Sequence, residues 1–64
     1  MTIQEVKQIA IGALKDEWVK IEDSKYYIQR IRESNKDELE DILSEIEEFA
    51  ISNGDLIAQL INEF

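Results

Sequence analysis

The residues that could do chemistry in this 64-residue chain are carboxylates, and there is little else to work with. Asp37 and Asp41, and likewise Glu45 and Glu48, stand at the spacing that puts two side chains next to each other on a helix. Acid–base catalysis asks for more than proximity. One carboxyl must sit in a pocket that raises its pKa while its neighbour stays ionised. Acids spread along an amphipathic helix form a solvated face in the ordinary case. The chain has no His and no Cys. That removes Ser–His–Asp and Cys–His arrangements, the commonest transition-metal ligand, and Cys-based zinc sites. Phosphate-binding loops need clustered glycines, whereas the two glycines, Gly12 and Gly54, are far apart. Asn53-Gly54-Asp55 has a flavour of a calcium loop but lacks the spaced acids and closing Glu of an EF-hand. It fits a helix stop followed by a cap. No catalytic, cofactor-binding or metal-ligating residue is therefore expected, and the chain does not read as an enzyme.

Charge says more about partners. The formal net charge is −8, from 15 acids and 7 bases. It is unevenly spread: residues 1–15 carry +1, residues 16–32 carry 0, and residues 33–64 carry −9. Such a surface repels phosphate backbones and attracts basic proteins, so direct nucleic-acid binding is not expected. No apolar run approaches the length of a membrane span, and the first residues lack a basic stretch followed by an apolar one. No membrane association and a cytoplasmic location are the resulting expectations. A single domain, residues 1–64, of this size buries only about 60% of its unfolded surface. With no disulfide to brace it, pairing with a second copy is a natural way to gain stability.

The elements that must position any site follow from periodicity. Lys36–Ala50 reads most clearly: Leu39, Ile42, Leu43, Ile46, Phe49 and Ala50 make one helical stripe, and nearly everything between them is acidic. Asn35 and Glu38 have capping-box spacing in front of it. Thr2 and Glu5 form a capping box for an earlier helix from about Ile3 to Leu14 or Lys15. Its stripe is Ile3, Val6, Ile9, Ala10, Ala13 and Leu14, with Ile11 pointing away. After Ser52-Asn53-Gly54, with Asn53 or Gly54 left-handed, Asp55 can cap a short helix from Leu56 to about Glu63. Its apolar residues are Leu56, Ile57, Leu60, Ile61 and Phe64.

Residues 16–32 read differently. As a helix their apolar residues scatter. As a β-hairpin turning at Asp23-Ser24 they sort: Val19, Ile21, Tyr26 and Ile28 share one face, and Glu22–Lys25 and Glu17–Arg30 become opposed charges. The expected fold is thus α+β, a helix, β-hairpin, helix, helix domain with the hairpin packed on the helices. An all-α helical hairpin or bundle is the alternative. A lone hairpin has open edges, and closing one against a second copy would give a homodimer with a four-stranded sheet.

Two surfaces stand out as partner-binding candidates. The outer hairpin face presents Trp18, Lys20, Tyr27 and Gln29, aromatics beside polar groups in the manner of interface hot spots. The acidic helix presents Glu40, Glu47 and Glu48 to a basic protein partner. The expected function is a non-enzymatic, acidic protein–protein interaction or regulatory module. Its alternative is a DNA-mimic inhibitor of a nucleic-acid-binding protein. Small size, acidity and missing catalytic residues also suit an accessory protein of the kind seen in bacterial mobile elements, an analogy of type and not of motif.

Overall fold

The computed structural model describes residues 1–63, which form four α-helices: α1 (Ile3–Lys15), α2 (Ser24–Glu33), α3 (Lys36–Phe49) and α4 (Gly54–Ile61). The helix starts follow their local chemistry. Thr2 Oγ1 accepts from the Glu5 amide while Glu5 reaches back to the Thr2 amide. Asn35 and Glu38 repeat that exchange at the head of α3. Each box satisfies amides that a helix start leaves without partners. By contrast, α2 and α4 begin after left-handed residues, Asp23 at φ 58° and Asn53 at φ 60°, with no side-chain cap.

Packing runs around a ring. Each helix contacts its neighbours in chain order, α3 and α4 most extensively, and α4 closes back sparsely on α1. The core combines Val6, Ala10 and Leu14 of α1 with Ile28 and Ile31 of α2, Leu39, Ile42, Leu43 and Ile46 of α3, and Ile57 and Leu60 of α4. Val19, from the 16–23 linker, completes it. Burying each such aliphatic side chain contributes about 1.5–3 kcal/mol against leaving it in water. The all-apolar stripe of α3 therefore acts as the central strut.

The expected β-hairpin is not formed, and with it falls the α+β class. The helical alternative describes the class, although only the second half of the ambiguous stretch is helix. A two-residue hairpin turn of type I′ needs positive φ at both central residues. Asp23 has it, but Ser24 instead opens α2. From there Ile28 and Ile31 bury on one helical face, and Arg30 and Arg32 sit in the last turn, where the helix dipole favours cations. Of the four residues expected on the hairpin's apolar face, Val19 and Ile28 are buried, in a helical core, whereas Ile21 is half-buried and Tyr26 exposed. Arg30 pairs with Glu45 of α3, at 2.8 Å, and not with Glu17. What remains of the extended tendency is one antiparallel bridge, Lys20 to Ser52, joining the 16–23 linker to the 50–53 linker. Without a two-stranded sheet among the described residues, a dimer made by closing sheet edges loses its basis.

Three apolar placements also need correction. Val6, Ala10 and Leu14 set the buried face of α1; Ile11 falls on one flank, half-buried against the core, and Ile9 on the other, 46% exposed. Phe49, the last residue of α3, is likewise exposed. Phe64, placed on the apolar side of the last helix from the sequence, lies outside the described residues.

Candidate partner-binding surfaces

The largest exposed apolar side chains fall on two depressions of the surface. The first is an open groove of about 450 Å³ between α1 and α4. Ile9, Gly12 and Ala13 line it from α1, Leu56 and Leu60 from α4, and Trp18 from the linker that follows α1. Trp18 is 65% exposed, although its backbone is firmly held. Asn53 Nδ2 donates to the Trp18 carbonyl oxygen at 2.8 Å, and the Ile51 amide donates to the Lys20 carbonyl oxygen at 2.6 Å. A large aromatic ring in solvent on a fixed backbone is an arrangement that binding surfaces use, since little order remains to be gained on contact.

The reason Trp18 stands where it does is local. At the end of α1, Glu17 adopts the left-handed conformation, φ 60°, and its amide donates to the Leu14 carbonyl oxygen. The Val19 amide then donates back to the Ala13 carbonyl oxygen. This helix-terminating pattern reverses the chain. It buries Val19 and leaves Trp18 outside.

The second depression, of about 320 Å³, is lined by Ile21, Tyr26, Tyr27, Phe49 and Ile51 with Glu22 and Asp23. Tyr26 and Tyr27 meet edge to face with ring centres 5.3 Å apart, and the Arg30 guanidinium lies 5.3 Å from the Tyr26 ring centre and 5.9 Å from that of Tyr27. Cation–π attraction and the Glu45 ion pair fix Arg30 there. The Glu45 carboxylate beside the Tyr27 hydroxyl, aided by burial, raises the Tyr27 pKa above its ordinary value of 10.0.

The seven residues singled out from sequence do not share one surface. Trp18 lines the α1/α4 groove, Tyr27 the aromatic depression, Lys20 a shallow site beside Ile51, and Gln29 a basic one with Lys15, Lys25 and Arg32. The outer hairpin face therefore does not exist as a unit, because its members are divided between an irregular linker and a helix. Gln29 is occupied in a hydrogen bond with Glu33, one turn on. Glu40, Glu47 and Glu48 are all exposed on α3. Ile9, Phe49 and Ile51 were missed as surface residues. The first two belong to helix stripes by their spacing, and nothing in that spacing distinguishes the edge of a stripe from its centre.

Among the described residues no group of acids is arranged to hold a metal ion, and no helix is long and apolar enough to cross a membrane. No family model matches the chain, and neither a curated protein nor a solved structure shows significant similarity to it.

Proposed function

We propose that this chain is a non-enzymatic protein–protein interaction module of the cytoplasm, which engages its partner through exposed apolar surface on an otherwise acidic molecule. One observation carries the reading: Trp18, 65% exposed on a hydrogen-bonded linker, lines the same groove as Ile9 of α1 and Leu56 of α4. Aromatic side chains in concave apolar sites ringed by polar groups are where binding energy concentrates at interfaces. The cost of displaying them in water fits a surface that is covered in use.

Capture from the native host with the wild-type chain and a Trp18→Ala variant tests this. Loss of a wild-type partner from the variant, with helicity unchanged, is the expected result. Identical capture by wild type, Trp18→Ala and Ile51→Glu would overturn it. The charge-mimic alternative draws on the exposed acids of α3 and gives a different pattern. Neutralising Glu40, Glu47 and Glu48 would then release the partner, and salt would weaken the complex steeply.

A further inference from the structure

We infer that the α1/α4 groove receives a basic amphipathic helix of a partner protein. This rests on the reading of the chain as an interaction module and names the occupant. A groove between two roughly adjoining helices with apolar walls is the shape that takes a third helix, read through anchors at i, i+3 or i+4, and i+7. Its shorter wall, α4, is an eight-residue helix, about 12 Å long at 1.5 Å per residue. That spans the two turns over which anchors i to i+7 are set.

Two features of the groove specify the partner. The first is charge. Asp16 and Glu63 are the charged side chains on its lining, with no Lys or Arg among them, and they outnumber the one cation there, the Met1 amino group. The whole chain carries −8. A helix bearing Lys or Arg beside its apolar face is complementary to such a rim. A second copy is less so: pairing two grooves about a two-fold axis brings together two linings whose charged side chains are all acidic. The chain's own basic cluster, Lys15, Lys25 and Arg32, lines a different depression.

The second feature is Gly12. Glycine is unfavourable inside a helix relative to alanine, and the fold has no use for it here: a Cβ built at Gly12 meets nothing within 4 Å. The open space above it is the groove itself. Absence of a side chain there lets a partner's side chain, or its backbone, approach α1 closely.

Trp18, the single tryptophan of the chain, reports on occupancy. The probe is a synthetic peptide of about 14 residues, free of aromatics, with Leu at helical anchor spacing and Lys elsewhere. Two controls accompany it: the same composition scrambled so that Leu no longer share a face, and a version with Glu for Lys. The expected result is a blue shift of Trp18 emission, affinity at least about ten-fold above either control, and a further loss of at least about ten-fold in Gly12→Leu, which fills the groove without burdening the helix. Ile51→Glu should leave binding unchanged. Equal binding of all three peptides, or indifference to Gly12→Leu, overturns the proposal. So does loss of binding in Ile51→Glu, which would move the site to the aromatic depression and leave the module reading standing. A doubling of the 7.5 kDa mass that Gly12→Leu abolishes would make a second copy the occupant, with the same consequence. Absence of peptide binding overturns the basic-helix occupant; whether the module reading also falls is decided separately by the capture with Trp18→Ala and Ile51→Glu.

Discussion

Lys7 Nζ, carried on α1, donates a 2.5 Å hydrogen bond to the carbonyl oxygen of Ser34, just past the end of α2. The Arg32 carbonyl oxygen lies 3.4 Å from the same nitrogen. Lys7 is only 9% exposed, so a cation that normally stays in water is drawn inside to satisfy carbonyls that a helix end leaves without partners. Its charge also suits the negative end of the α2 dipole. Replacing Lys7 by Met keeps the stem and removes the donor. The expected loss is about 1.5–3 kcal/mol, the range for a hydrogen bond involving a charged group, measured by urea unfolding. A loss within error of zero would mean that Lys7 does not tie α1 to α2.

The two glycines should respond to alanine with opposite signs. Gly12→Ala places a methyl in open space within a helix and should stabilise the fold by about 0.5–1 kcal/mol. At Gly54 the added Cβ would lie 3.0 Å from the Glu47 carbonyl oxygen and 3.3 Å from Ala50 Cβ. The backbone of α3 has to give way, and the expected cost is about 1 kcal/mol or more. Thermal unfolding of the two variants side by side checks both signs.

Glu17 holds the left-handed position that closes α1, a place where glycine is the usual occupant. Its side chain is exposed and the hydrogen bond that matters comes from its backbone. Glu17→Gly should therefore raise stability by about 0.5–1 kcal/mol, despite the greater freedom of an unfolded glycine. A destabilised variant would show that the Glu17 side chain has a role the conformation does not explain.

The pH limbs of stability have separate origins. Hydrogen bonds from the Thr2 backbone and then its hydroxyl lower the Glu5 pKa below the ordinary 4.5. A depressed carboxyl contributes stability above its unfolded pKa and loses it as pH falls through the folded one. The Thr2 amide resonance should titrate in that acid window, and Glu5→Gln should abolish the step. Tyr27 is the opposite case. Its raised pKa, from the Glu45 carboxylate first and burial second, gives a contribution complete below the ordinary 10.0 and lost as pH rises through the folded value. Tyr27→Phe should flatten the alkaline limb of unfolding free energy; an unchanged limb would count against the Tyr27–Glu45 contact.

Much of the helical frame was legible in local chemistry. The two capping boxes and the stripe of α3 carry their meaning within a few residues, and the structure keeps both boxes and the stripe from Leu39 to Ile46, losing only Phe49 to the surface. Residues 16–32 were not legible because Val19, Ile21, Tyr26 and Ile28 satisfy an alternating pattern as well as they serve a linker followed by a helix. The choice is made by burial in a core with Leu39, Leu43 and Ile46, which lie outside that window. Lys7 was invisible for the same reason: its carbonyl partners come from an element 25 and more residues on. Trp18 was named as a contact residue, but its groove requires α4 to return to α1, which no spacing within either helix encodes.

The Lys20–Ser52 bridge has a consequence for the order of assembly. The hydrogen bonds of the helices are local, whereas this bridge and the neighbouring Asn53–Trp18 bond, 35 residues apart in sequence, require the chain to close a long loop. The clasp that holds Trp18 in place is thus expected to form late in folding. Pulsed hydrogen exchange at the Ile51 amide during refolding would time it, and would report when the groove beside Trp18 first takes shape.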